Sequence, residues 1–211
     1  MAESLQSATV TTDPRILRSR RMLMDALAKL LTKKEFEDIS VQEIADEATL
    51  NRATFYLHYP DKSALLQAMT EARFRDLIER RGIAFTDCDR ALRAIALGVC
   101  DYLTEITNCP IKGGSIPLEG SLIPVVEAMF MEGLSRHEVA PGVDAGLVAT
   151  TAGWAVFGAA RRWFRTPNRI AAEKMAGKIE AMVKPIFLST SDPVNAASRG
   201  VTATSKTKVK A

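Results

Sequence analysis

The 211 residues are 47% hydrophobic and 25% charged with a net charge of +3, the profile of an ordinary soluble globular protein with room for one large domain or two small ones. Three cysteines (Cys88, Cys100, Cys109) form no Cys-x-x-Cys unit, and two histidines cannot complete a metal site with them at any usual spacing, so no metal or cofactor is expected. The most apolar stretch, residues 146–160, is too short to span a bilayer, and residues 1–13 lack the basic start and apolar core of a signal peptide. A reducing cytoplasm is the expected setting.

After an N-terminal arm (1–13), Asp13-Pro14 suits a helix start, with Asp as cap and Pro at the first helical position. The helix expected over residues 14–34 buries Leu23, Leu27, Leu30 and Leu31. Arg15, Arg18, Arg20 and Arg21 crowd its first two turns, where positive charge opposes the helix dipole, so a nearby phosphate backbone is one explanation for them.

Ser40 and Glu43 form a capping box, and Val41, Ile44, Ala45 and Ala48 then make one apolar face. The helix is barely two turns long and must pack on neighbours. Asn51 caps a second short helix, in which Phe55 and Tyr59 share an inward face. Pro60 stops it, and a new helix carrying Leu65, Leu66, Met69, Phe74, Leu77 and Ile78 starts near Lys62. Two short helices joined by a tight turn are how a small protein places a helix in the major groove of duplex DNA.

Residues 13–81 hold 13 basic and 12 acidic side chains, so DNA binding here cannot rest on bulk charge. It needs local placement, with Arg15–Arg21, Arg52, His58 and Lys62 on one side and acids on the other. Arg52 and Asn51 open the second helix, where base edges are read. Arg can pair with guanine and Asn with adenine, but Asn51 can equally be spent as a cap. Thr54 suits a phosphate or a thymine methyl. His58 is either a solvated surface group or a phosphate ligand.

From Gly82 onward the pattern stays helical, with no strands. Asp87 or Asp89 can cap a helix with an apolar face of Leu92, Ile95, Ala96, Val99, Leu103 and Ile106. Cys109–Pro117 reads as a loop, a further helix runs through Leu122–Arg136, and Pro141-Gly142 breaks the chain again. The helix expected over Asp144–Arg165 is rich in small residues, and its glycines (Gly146, Gly153, Gly158) suggest close approach by another helix. Thr166-Pro167 is expected to open the last helix. Its seam of alternating three and four spacing holds Ala172, Met175, Ala176, Ile179, Met182, Val183 and Ile186, and Pro185 implies a kink or early end. The basic, Ser/Thr-rich tail from Ser189 reads as disordered.

The leading helix ending in Leu27–Leu31, the spacer through Phe36 and Ile39, and the run VQEIADEATLNRATFYLHYPDKSALL together resemble the N-terminal domain of the TetR (tetracycline-repressor-like) family of bacterial transcription regulators. The string Thr54–Tyr59 with Lys62 is the most specific part. The resemblance implies an all-α fold: a three-helix helix-turn-helix domain with its linking helix (14–81), followed by a larger helical effector-binding and dimerisation domain (82–188). It implies a dimer on a palindromic DNA operator, released when a small-molecule effector repositions the fourth helix (62–81), with repression as the family default. The implied DNA-contacting set is Ser40, Gln42, Asn51, Arg52, Ala53, Thr54, Tyr56, His58 and Lys62. Tyr102, Met129, Phe130, Trp154 and Phe157 would line the effector pocket, although such residues at helical spacing are more often plain core. The 112–118 stretch would be a pocket lid or a flexible loop.

The two last helices would pair with their twofold mates through Gly153, Ala172, Met175, Ile179, Met182, Val183 and Ile186. The alternative is that both seams pack inside one subunit. One departure stands out. Family members usually carry Gly between the two short helices, where this chain has Thr49, and a β-branched residue is poor at positive φ. A strained or differently shaped turn is therefore expected. Two rival readings are a helical enzyme using Cys or His, for which no catalytic pair has supporting context, and a ligand-binding or adaptor protein that keeps the helix-turn-helix as scaffold.

Overall fold

The computed structural model describes residues 13–81, 88–108, 117–136 and 143–188. The N-terminal arm, the 109–116 loop, the Pro141-Gly142 break and the tail from Ser189 therefore lie outside the described residues, as does the cap read at Asp87, while Asp89 falls inside the helix that begins at Cys88. Among the described residues there are eight α-helices and no strand: α1 Pro14–Leu31, α2 Val41–Glu47, α3 Arg52–His58, α4 Lys62–Arg80, α5 Cys88–Asn108, α6 Leu118–Leu134, α7 Ala145–Phe164 and α8 Ala172–Leu188. The described residues fall into two compact units, one drawn from 1–73 and 106–122, the other from 74–105 and 123–211. The division falls inside α4 rather than at Gly82, because Phe74 and Ile78 pack on α5 (below).

In the first unit, Leu23, Leu27 and Leu30 of α1, Phe36 and Ile39 of the connection, Ile44 and Ala48 of α2, Phe55 and Tyr59 around α3, and Leu65 and Leu66 of α4 form one buried cluster. Full burial of one such aliphatic or aromatic side chain contributes about 1.5–3 kcal/mol, and this cluster holds two seven-residue helices that could not persist alone. The caps form as the sequence predicts. Asp13 Oδ1 accepts from Arg15 N at 2.8 Å, the Ser40–Glu43 box closes in both directions, and Asn51 Oδ1 accepts from Ala53 N at 2.8 Å. Lysines at the end of α1 clip α2 in place: Lys29 and Lys33 pair with Glu47, and Lys34 pairs with Glu43.

The turn between α2 and α3 keeps the shape that glycine would give it. Thr49 N donates to Asp46 O at 3.0 Å and Leu50 N to Ala45 O at 2.9 Å, with Thr49 at φ 55°. This is a Schellman closure, with the left-handed residue just past the cap and an apolar residue after it. The geometry is therefore not differently shaped; the threonine is strained into it.

In the second unit, Gly98 of α5 lies against α4. A Cβ there would sit 3.1 Å from Ile78 Cγ1 and from Phe74, so its absence lets the two helices close. Phe74 also meets Tyr102 edge-on, ring centres 6.3 Å apart. Arg81, just past α4, grips Asp101 of α5 with two nitrogens (3.0 and 2.8 Å) and Glu173 of α8 with a third (2.8 Å).

The last two helices form a hairpin, and the connection is longer than Thr166-Pro167 suggested: α8 begins only at Ala172. Trp163 Nε1 donates to Ile170 O at 2.7 Å and Arg169 lies over the Trp163 and Phe164 rings, with Asn168 at φ 51°. These contacts hold residues 166–171 as a folded turn rather than a helical start. Pro185 does not end α8, which runs to Leu188. The three glycines of α7 have different surroundings. Gly153 is buried, with a Cβ there 3.0 Å from Glu127 Cγ; Gly146 N donates to the Asp144 cap; Gly158 has open space around it.

Candidate nucleic-acid interface

Helix α3 buries Phe55 and, at its C-cap, Tyr59, and turns its other side chains outward. Arg52 Nη2 donates to Tyr56 Oη at 3.1 Å with its guanidinium 5.5 Å from the Tyr56 ring centre, so the two form one exposed unit. Ala53 is exposed beside them, and Thr54 and His58 are half-buried on the opposite flank. At the open end of α1, Arg20 lies 5.8 Å from the Tyr59 ring centre, which brings this basic helix end to the end of α3. Burial raises the Tyr59 phenol above its ordinary pKa, and its hydroxyl has no hydrogen-bond partner among the described residues.

The near-neutral charge of the domain resolves into two populations. Lys29, Lys33, Lys34 and Lys62 are tied to acids or carbonyls of their own unit. Arg15, Arg18, Arg20, Arg21 and Arg52 have no acidic partner among the described residues. The Lys34 ammonium, then the Ser40 backbone and hydroxyl, hold Glu43 down at about 2, so that acid is committed to the α1–α2 junction. The Lys29 ammonium likewise lowers Glu47.

Three predicted DNA ligands are spent elsewhere. Lys62 Nζ donates to the carbonyls of Phe36 (2.9 Å), Glu37 (2.8 Å) and Ile39 (3.0 Å), using all three ammonium protons to close the α1–α2 connection. The Ser40 hydroxyl accepts from Glu43 N and donates to its carboxylate. The Asn51 oxygen is the α3 cap. Gln42 is exposed, with its amide nitrogen on Asp46 at 2.8 Å. One outward residue escaped the sequence reading. Leu57 is 81% exposed. The helical wheel could have found it, since Leu57 lies opposite Phe55 and Tyr59 at 3.6 residues per turn.

In the second unit, Tyr102, Met129, Phe130 and Phe157 are buried, Phe130 against Phe187 with ring centres 5.2 Å apart. Trp154 is 50% exposed, so it does not share their interior. An open cavity of about 290 Å3 is lined instead by Leu77, Arg80, Arg81, Asp101, Thr104 and Glu105, none of the five predicted residues. The predicted dimer seam divides likewise. Gly153, Ile179 and Val183 are buried within the subunit, Gly153 against Glu127 of α6; Ala172, Met175 and Ile186 are half-buried; Met182 is 59% exposed. With Leu147 (64%) and Trp154, Met182 supplies the outward apolar surface of the hairpin.

A capped pair of short helices closed by a Schellman turn, with a second helix that turns Arg52, Tyr56 and Leu57 outward, has the geometry of a helix-turn-helix. Residues 23–69 match the family model described as bacterial regulatory proteins, tetR family. Over these residues the chain is similar to the tetR family of bacterial regulatory proteins. It is 30% identical over 100 residues to the uncharacterised HTH-type transcriptional regulator YxbF of Bacillus subtilis, covering 47% of this chain and 26% of that protein. It is 30% identical over 132 residues to the HTH-type transcriptional regulator EthR of Mycolicibacterium smegmatis, covering 56% of this chain and 59% of that one. These matches thus span about a quarter to three-fifths of the relatives' lengths. A solved structure of a TetR-family regulator from Streptomyces coelicolor shares the fold, with a TM-score of 0.58 at 14% identity over 84% of this chain and 98% of that one.

Proposed function

We propose that the chain is a transcriptional regulator that binds a palindromic operator as a homodimer, with α3 in the major groove and the arginines of α1 on the phosphate backbone. The observation that carries this reading is the sorting of the cations: every lysine of the α1–α2 junction is neutralised within its unit, while Arg15, Arg18, Arg20, Arg21 and Arg52 remain without an acidic partner among the described residues. Arginines kept free in a domain of nearly balanced charge suit a polyanion. Within the proposed contact set Arg52, Ala53, Thr54, Tyr56 and His58 face outward or are half-buried, and Arg52 with Tyr56 forms its centre.

The dimer is supported by the outward Leu147, Trp154 and Met182 on α7 and α8, a larger apolar display than the hairpin needs for its own packing. Gly158, with open space above it, permits a partner backbone to approach. Repression relieved by a small molecule completes the proposal. Its effector would act on α4, which contributes residues to both units. The cavity bordered by Arg80, Arg81, Asp101 and Glu105 favours a polar ligand.

Selection of bound sequences from a random duplex pool, followed by titration over a range of salt, tests this reading. Enrichment of a palindrome with affinity falling steeply as salt rises supports it, because each neutralised phosphate releases counterion. Arg18→Ala with Arg21→Ala should flatten the slope. Absence of enrichment, or salt-independent affinity, would leave only the scaffold-protein reading.

A further inference from the structure

The outermost point of α3 is apolar. With successive residues about 100° apart, the mean direction of Phe55 and Tyr59 lies roughly opposite Leu57, with Ala53 beside it one turn earlier. Leu57 is 81% exposed, the most exposed large hydrophobic side chain among the described residues, so it adds little to the core of its unit. Beside it stands the Arg52–Tyr56 unit, joined at 3.1 Å, and the free arginines of α1 mark the same unit as one that receives a polyanion. A leucine at the apex of such a face has no hydrogen bond to offer a base edge or a phosphate. The apolar group that the floor of the major groove presents to it is the 5-methyl of thymine.

We propose that Leu57, backed by Ala53, reads a thymine methyl group at one fixed position in each operator half-site. The inference rests on the DNA-binding reading above and adds to it a specific base. Arg52 and Tyr56 would then supply polar contacts on one side of the helix while Leu57 sets a preference for thymine by contact alone. Since the side chain is exposed, its truncation leaves the folded unit intact.

The test is replacement of thymine by deoxyuracil, one position at a time, in the palindrome enriched by the full-length protein. This removes a methyl and leaves every hydrogen-bonding group in place. One position per half-site should lose about fourfold in affinity, the worth of one methyl taken out of water. Leu57→Ala should weaken binding to the thymine operator and bind thymine and deoxyuracil operators equally, with an unchanged circular dichroism spectrum. Equal binding of both operators by the wild-type protein would overturn the proposal while leaving the operator reading intact. So would a thymine preference that survives in Leu57→Ala, or a uniform loss across all sequences, which would place Leu57 on the sugar backbone. Failure of the wild-type protein to bind any duplex would overturn the operator reading itself, and this inference with it.

Discussion

Lys62 closes over Phe36: its ammonium lies 4.8 Å from the Phe36 ring centre and donates to the Phe36 carbonyl at 2.9 Å, with the Glu37 and Ile39 carbonyls completing the set. A side chain that reads as a phosphate ligand is thereby a clamp, carried by the start of α4, on the connection between α1 and α2. Lys62→Met keeps the stem and removes the charge and all three donors. It should lower stability by about 2 kcal/mol, within the range for hydrogen bonds to charged groups, as read by urea denaturation. The salt dependence of DNA binding should not change.

Thr49 occupies the left-handed position that ends α2, at φ 55°. Left-handed backbone costs an ordinary residue about 1–2 kcal/mol, and glycine recovers part of this after its own entropic cost. Thr49→Gly should therefore raise the unfolding free energy by about 1 kcal/mol with DNA affinity retained. Thermal unfolding monitored at 222 nm measures it, and a lower midpoint would show that the threonine methyl makes a compensating contact.

The Glu43 carboxyl is held at about 2 by Lys34 first and by Ser40 next, below its ordinary 4.5. A depressed folded pKa means that the stabilisation is present above the unfolded value and disappears as pH falls through the folded one. The contribution of this residue should thus fade between about 4.5 and about 2. Glu43→Gln should be less stable than wild type at neutral pH, and the difference should vanish near the acid end. Because the group is exposed, the effect is small and best read as a difference between paired acid titrations.

Cys100 is buried, and burial first, then the charges of Asp101 and Glu173, push its thiol up to about 12. The thiolate is the reactive form. A redox or electrophile-sensing role for this cysteine is accordingly disfavoured, in keeping with the buried small hydrophobe that a lone helical Cys usually is. In the native protein Cys100 should resist alkylation by iodoacetamide at neutral pH and react fully in denaturant, as peptide mass spectrometry would show.

Local signals explain where the sequence was legible. Caps, the buried leucine stripe and the inward Phe55 and Tyr59 depend on neighbours within a turn or two, so spacing alone placed them. The clamp made by Lys62 was not legible because its three acceptors lie 23 to 26 residues earlier in the chain. The hairpin seam was only half read: a three-and-four pattern marks an apolar face but not which partner covers it, and Ile179 and Val183 are covered by their own subunit while Met182 is not. Charge was balanced in the sequence yet sorted in space, with the lysines paired and the arginines of α1 and α3 left without an acidic partner among the described residues. Only contacts between helices reveal that division.

The Arg52–Tyr56 pair carries the account, and its removal is the most direct test. On the palindrome selected from a random pool, fluorescence anisotropy should show Arg52→Ala with Tyr56→Phe binding at least about tenfold more weakly than wild type, the usual worth of one good base contact. Discrimination against scrambled duplex should be lost, with secondary structure unchanged. Equal affinity and equal discrimination in the double variant would contradict the assignment of α3 as the reading helix.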